Sequence, residues 1–366
     1  MNSLSIKSLP EEWMFPTTRY RGSKRKILPW IWNAIKDLAF DSTLDLFGGT
    51  GVMSSLFKRM GKEVTYNDYL HYNYMSAVAL IENSTTVLTD EDLDFIFSEH
   101  PKISYGCFVA DIFRGYYFLD AENRWLDRTI ANISALGREY SGKVLREKKA
   151  IAVWAIGQAC LIKRPFNLFH RKNLYLRTEK AERGFGNKST WETPFEDAMR
   201  RFVKEANQVI FDNGRRNRAF CTDALRFKDT DFDLVYLDPP YFFEGQSNED
   251  YKDLYHFLEG VAQPHIWPEL IDYDSYNLRL KRNGTRWPAK SSDQLTNIYS
   301  SLIDRFSDSV LVISHKSNSL VSLGTIKNLL ANHGKQVRTH WKRYTYALSH
   351  SNGKPSLNIE WLIIGT

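Results

Sequence analysis

Cysteine is scarce in this 366-residue chain, with only Cys107, Cys160 and Cys221, far apart. That number and scatter exclude a disulfide framework and a zinc cluster; each thiol is expected to act as a small buried hydrophobe in a reducing compartment. Long hydrophobic runs are missing too. No stretch approaches the ~20 apolar residues that a membrane helix requires. Met1 to Trp13 carries no secretory apolar segment, so the expectation is a cytoplasmic protein with no membrane partner. Low-complexity tracts and internal repeats are also lacking. The excess of one charge is slight, 49 Lys and Arg against 43 Asp and Glu, and points only loosely to a polyanionic partner. What the chain has in quantity is apolar residues (43%) and aromatic residues (14%), which excludes a solvated, disordered chain and suits about two domains with a true core.

Periodicity organises the chain. Residues 24–39 read as an amphipathic helix, with Ile27, Trp30, Ile31, Ala34 and Leu38 on one face. A short strand, Ser42 to Phe47, runs into Gly48-Gly49-Thr50-Gly51. A helix over 52–60 follows and stops at Gly61. Glu63 to Asn67 is the next strand and closes on Asp68. This succession is a βαβ unit of a parallel sheet. From about 72 to 209 strand patterns give way to helical ones, at 122–136, 144–162 and 193–210. Strands resume at Arg218–Cys221, Phe232–Leu237 and Ser309–Ser314. Two β-rich runs, 336–348 and 357–364, flank the turn cluster Ser351-Asn352-Gly353-Lys354-Pro355 and read as a hairpin. The fold expected is therefore α/β: a Rossmann-like sheet with a C-terminal β-hairpin, and an inserted, mainly helical domain over 76–211 between catalytic segments 15–75 and 212–366.

Two signatures carry chemistry. Asp45-Leu46-Phe47-Gly48-Gly49-Thr50-Gly51 lies at a strand end and helix start, where backbone N–H groups converge and glycine admits close approach of a ligand. Alone it fits a tight turn or a nucleotide site equally well. Asp68, at the end of the second strand, is spaced to accept hydrogen bonds from a ribose diol; a plain turn aspartate is the alternative. Asp238-Pro239-Pro240-Tyr241 is more specific. Its prolines remove two N–H groups, leaving acceptors beside an aromatic face. Such a cluster suits a planar ring that bears an amino group.

Together these motifs resemble those of the Dam-like, alpha-group DNA adenine methyltransferases, which use S-adenosylmethionine. The resemblance covers roughly residues 15–75 and 215–366. Its N-terminal element is Arg19-Tyr20-Arg21-Gly22-Ser23-Lys24, where Ser23 departs from the more usual glycine, and its third acidic element is Asp223. It implies catalysis by Asp238, Pro239, Pro240 and Tyr241. It implies a cofactor site built from Tyr20, Lys24, Asp45, Phe47, Gly48, Gly49, Gly51, Asp68, Asp223 and Asp238. Asp238 and the Pro239 carbonyl would hold the target amino group, and Tyr241, with Phe242 or Phe243, would stack on a base flipped from double-stranded DNA. No metal is called for. A cognate restriction endonuclease is a candidate partner, and a monomer is expected.

The DNA surface is expected within 160–218, which holds 14 Lys and Arg against seven Asp and Glu, while the remaining residues hold 35 against 36. Aromatic residues (Phe166, Phe169, His170, Tyr175, Phe185, Trp191) are interleaved. Lys163, Arg164, Asn167, Arg171, Lys172, Asn187 and Lys188 are the candidate contacts, with Arg282 from a second basic patch over 279–290. An RNA or protein-glutamine methyltransferase, and a DNA-binding module with an inactive site, remain as alternatives.

Overall fold

The computed structural model describes residues 15–20, 22–179, 188–243, 250–282, 291–344, 350–351, 354–355 and 358–366. Seven strands form one sheet: β1 (Ser42–Asp45), β2 (Glu63–Asp68), β3 (Arg218–Cys221), β4 (Leu234–Leu237), β5 (Val310–Lys316), β6 (Val337–Tyr344) and β7 (Asn358–Gly365). Their order is β3-β2-β1-β4-β5-β7-β6. The first five run parallel, and β7 runs antiparallel to both neighbours, with Lys316 opposite Glu360 and Ser314 opposite Leu362. The chain enters the sheet at β1 and builds outward on one side before crossing to β4 on the other. That reversal opens a crevice at the carboxyl ends of β1 and β4, the usual ligand position in such sheets.

The fold class is the one expected, down to the C-terminal hairpin. Within the turn cluster, His350–Ser351 pairs with Lys354–Pro355; Asn352 and Gly353 lie outside the described residues. Alternation along the strands makes two apolar faces. Leu44, Leu46, Val235, Leu237, Leu311, Ile313 and Ile363 pack on the helices Ser292–Arg305 and Leu323–Asn332. Val64, Tyr66, Leu234, Tyr236, Val312, Leu362 and Ile364 share the other core with the helices between β2 and β3. Strand β4 is buried on both faces, so it reads as an unbroken apolar run rather than an alternating one.

Helical candidates in the middle segment correspond to Asp120–Ala135, Gly142–Ile162 and Phe195–Asn207. The expected 75/76 boundary, however, falls inside a continuous helix, His71–Ala77, that runs on into a π-helical turn, Val78–Glu82. Helix Gly142–Ile162 packs directly on it: Gln158 donates to the Tyr72 hydroxyl, which donates to the Trp154 carbonyl. Any side chain at Gly157 would enter the Tyr72 ring, its Cβ 2.2 Å away. Among the described residues the helices of this segment share one apolar cluster with the sheet.

The first expected helix is shorter than its apolar face suggests. Lys24–Ile27 is a 3-10 turn and the α-helix spans Leu28–Ile35. Pro29 has no N–H to donate to the Arg25 carbonyl, so α-geometry cannot extend back through that turn. Among the cysteines only Cys160 is buried; Cys221 is half-buried, and Cys107 is exposed at the start of helix Phe108–Ile112, which corrects its expected burial.

Candidate active site at the strand carboxyl ends

Two turns leave the sheet side by side at the crevice. After β1, Gly48 donates to the Asn67 carbonyl at 2.9 Å, and Gly51 takes φ +76° as it caps helix Val52–Arg59. Gly48 lies flat against the Tyr66 ring, where an added Cβ would come within 2.0 Å of a ring carbon. The backbone at Gly49 has φ +52° and open space above it; the nearest side chain an added Cβ would meet is Tyr20, at 4.0 Å. Tyr20 is fixed by stacking on Tyr255 at 4.4 Å and by the Asn73 amide, which donates to its hydroxyl at 3.0 Å. A half-buried backbone turn roofed by an aromatic ring fits a nucleoside cofactor.

The carboxylates around this turn differ in their surroundings. Asp68 accepts from Gly49 N–H and Leu70 N–H, both at 2.9 Å. Burial still pushes its carboxyl up to about 6. Asp45 is fully enclosed beneath the turn, where Ser54 donates to it at 2.7 Å and burial raises its carboxyl to about 7. It holds the first turn of helix Val52–Arg59 against β1 from below. Asp223, just past β3, caps the short 3-10 turn Ala224–Arg226 through Leu225 N–H. Phe47 packs against the core on the far face of the sheet.

Beyond β4, Pro239 and Pro240 end the strand by removing donors, and Asp238 lies at its tip. Lys24 Nζ sits 3.1 Å from Asp238 Oδ1 and 2.7 Å from Glu360 Oε1. The Tyr241 hydroxyl donates to Asp238 Oδ1 at 2.7 Å and also lies 3.1 Å from Glu360 Oε1. Burial raises the Asp238 carboxyl; Lys24 opposes this and Glu360 adds to it. The structure thus brings Tyr20, Lys24, Gly48, Gly49, Asp68, Asp238 and Tyr241 to one crevice. Tyr241 was expected to act through its ring; here its hydroxyl is bonded to Asp238 and its ring centre lies 5.0 Å from Lys24 Nζ. Phe242 packs toward the core and Phe243 lies under Lys316.

Sequence reasoning missed Glu360, Ser314, Asn73, Tyr251 and Tyr255. For Glu360 there was a signal: a lone acid inside the apolar run Ile359 to Ile364. A charge in a buried strand needs partners, and those of Glu360 include Lys24, Tyr241 and Ser314.

The DNA-facing expectations divide. Lys163 and Arg164 are buried, which corrects their expected place on a phosphate surface. Lys163 Nζ donates to Glu122 at 2.8 Å and to the Trp191 carbonyl at 3.0 Å. Arg164 donates to the carbonyls of Leu168, Tyr117 and Arg171 and to the Asn173 side chain, and lies over the Tyr117 ring. Both hold the helical segment together, as do the buried Phe169 and Trp191. Arg171 is exposed. Lys172 sits 3.7 Å from the centre of the Tyr116 ring and 4.8 Å from that of Tyr276, itself 69% exposed. Asn167 follows the exposed Phe166 in a left-handed pair, φ +56° and +64°. Arg282 pairs with Asp253 at 2.6 Å. Asn187 lies outside the described residues. Lys188 begins the helix Lys188–Glu192, and its side chain is likewise outside them. Among the described residues no helix is long and apolar enough to cross a membrane, and no His, Cys, Asp and Glu group could hold a metal.

The family model described as D12 class N6 adenine-specific DNA methyltransferase matches residues 20–259. The chain is similar to Type II methyltransferase M2.HphI of Haemophilus parahaemolyticus, 33% identical over 265 residues that cover 69% of this chain and 73% of that protein. It is 23% identical over 371 residues to Type II methyltransferase M.NlaIII of Neisseria lactamica, with 94% and 98% covered. It is 25% identical over 337 residues to Type II methyltransferase M.FokI of Planomicrobium okeanokoites, spanning 86% of this chain but 47% of that longer protein.

Proposed function

The chain belongs to the D12 class N6 adenine-specific DNA methyltransferases, and from that membership we propose that it is the modification enzyme of a restriction-modification system, acting at a specific site in double-stranded DNA. The names of the three relatives given above, each a Type II methyltransferase, support that setting. The observation that carries the catalytic reading is the meeting of Asp238, Tyr241 and Lys24 within 3.1 Å of one another beside the Gly48–Gly51 turn.

In this reading S-adenosylmethionine supplies a methyl group already activated on a sulfonium. The chain's task is placement. Tyr20 and the backbone of Gly48, Gly49 and Gly51 would hold the cofactor, with Asp68 for the ribose hydroxyls and Asp223 for the adenine amino group. The target adenine cannot be reached inside the duplex and is flipped out at a cost of a few kcal/mol. Asp238 and the Pro239 carbonyl accept from its amino group, drawing the nitrogen lone pair out of the ring and toward the methyl. Reacting atoms held at about 3–3.5 Å convert the reaction to an effectively unimolecular one. Tyr241 supplies an aromatic face worth about 1–3 kcal/mol of stacking. The attacking nitrogen would gain positive charge as it takes the methyl and lose it when one proton passes to solvent, and a carboxylate at Asp238 would favour that charge.

Asp238→Ala should abolish methyl transfer, by roughly 10²–10³-fold or more, while S-adenosylmethionine still binds. The check is a labelled-methyl assay on mixed-sequence DNA with nucleoside analysis of the product. Retained activity in the variant, or methyl groups found only in RNA, would overturn the proposal.

A further inference from the structure

We infer that Glu360 is a positioning residue for Asp238: it takes over Lys24 and the Tyr241 hydroxyl so that Asp238 can turn to the substrate amino group. This rests on the reading of Asp238 given above. In the structure Asp238 Oδ1 is crowded. It receives the only proton of the Tyr241 hydroxyl at 2.7 Å and faces the Lys24 ammonium at 3.1 Å. An incoming amino group needs the same acceptor.

The second acceptor is already in reach. Glu360 Oε1 lies 3.1 Å from the Tyr241 oxygen and 2.7 Å from Lys24 Nζ. The Tyr241 proton can therefore pass from one carboxylate to the other by rotation about its own C–O bond, with no movement of backbone or ring. Glu360 is fully buried on β7, and Ser314 of β5 donates to the same oxygen at 2.7 Å, which fixes the carboxylate in place. The register that sets Lys316 opposite Glu360 brings Ser314 to this side of the strand pair. Taking a charge out of water is costly unless it is fully bonded. One cation between two carboxylates also leaves a net negative charge, which suits a nitrogen that becomes positive.

The groups that face Asp238 are Lys24 from the 3-10 turn, Glu360 from β7, Tyr241 in its own turn, Tyr236 on β4, Tyr299 on helix Ser292–Arg305 and Asp45 on β1. Of these, Glu360 raises the Asp238 carboxyl and Lys24 lowers it. In Glu360→Gln the shape is kept and the charge lost. Lys24 then pairs with Asp238 alone, and the Tyr241 hydroxyl has no charged alternative.

The test is steady-state methylation by Glu360→Gln across pH. Expected are a fall in kcat of about tenfold to a hundredfold, unchanged S-adenosylmethionine binding and DNA KM, and an acid limb of the kcat profile moved to lower pH. Glu360→Asp, which keeps the charge, should return the limb toward its original position. Wild-type kcat with an unmoved limb would overturn the inference, as would an activity loss that only follows a loss of folded protein. Should Glu360→Gln not fold, Ser314→Ala decides: a several-fold fall in kcat with a moved limb supports the role, and an unchanged profile removes it. Active Asp238→Ala would instead overturn the reading of the site itself.

Discussion

The crevice and the helical segment bury the same kinds of charged side chain with opposite outcomes. In the crevice, Asp45, Asp68 and Asp238 all have carboxyls raised by burial. In the helical segment, burial also pushes Glu122 and Asp92 up, but cations overcome it. Arg177 and Lys163 grip Glu122, Lys148 grips Asp92, and both acids end below the usual carboxylate range. Glu122 and Asp92 are thus matched to cations, whereas Asp127 in the same segment is bonded by the Val109 and Ala110 N–H groups and stays raised by burial; in the crevice Lys24 sits between Asp238 and Glu360, with Asp45 and Asp68 nearby and raised. Acids raised by burial cluster at ligand sites, whereas cation-matched acids are common in a scaffold.

The sharpest way to break this comparison is to delete one buried cation from each region. Arg164→Met strands four acceptors, the carbonyls of Leu168, Tyr117 and Arg171 and the Asn173 side chain. It should destabilise the fold by about 3–5 kcal/mol. Lys24→Met should remain folded, because Asp238 and Glu360 can share a proton as close carboxylates do, yet lose methylation by roughly 10²-fold or more. Denaturant unfolding and a methyl-transfer assay on both variants separate the two effects. A stable Arg164→Met that has lost only DNA binding would erase the distinction.

That contrast also shows what could be read from sequence. The strand, glycine turn, helix and strand over 42–68 and the Asp238-Pro239-Pro240-Tyr241 turn are local patterns, whose geometry follows from glycine φ, proline chemistry and strand period. They were legible. Which charges are buried is not local. Lys163 and Arg164 look like a basic patch beside Phe166 and Asn167, and only the packing of Tyr117, Glu122 and Trp191 around them shows otherwise. Glu360 is 336 residues from Lys24 in sequence, and nothing short of the β5–β7 register joins them. The basic excess over 160–218 is likewise smaller on the surface than in the count, since Lys163 and Arg177 spend their charge on Glu122.

A smaller effect tests the poised acids through pH. Asp45 titrates near 7 when folded and near 3.8 when unfolded. The unfolded chain therefore binds fewer protons between those values, so the folded state loses stability as pH rises from about 4 to about 7. Asp45→Asn keeps an acceptor for Ser54 and removes the charge. It should stabilise the fold by on the order of 2–4 kcal/mol at pH 8 and by almost nothing at pH 4. Glu122 and Asp92 in the helical segment have the reverse sign: their pairs stabilise above the unfolded carboxylate range and lose that effect as pH falls through their lowered values. Thermal unfolding at pH 4 and pH 8 is the measurement, and a gain for Asp45→Asn that is equal at both would show that Asp45 is not held neutral.

The smallest effects belong to the surface that remains for DNA. Arg171 is exposed, and Lys172 is held between Tyr116 and Tyr276, one ring buried deeper and the other open to solvent. Among the described residues neither cation is paired with a carboxylate, unlike Arg282, which Asp253 already neutralises at 2.6 Å. A cation that neutralises a phosphate releases a counterion, so its removal should lower the slope of log affinity against log salt by about one. Arg171→Ala and Lys172→Ala should each do so while changing stability by about 1 kcal/mol or less. Arg282→Ala should change the slope less, because its counterion role is taken by Asp253 before DNA arrives. Affinity titrations over a range of salt would rank the three. A slope unchanged in Arg171→Ala and Lys172→Ala would move the DNA surface away from this face, and with it the reason to regard the helical segment as a scaffold for recognition.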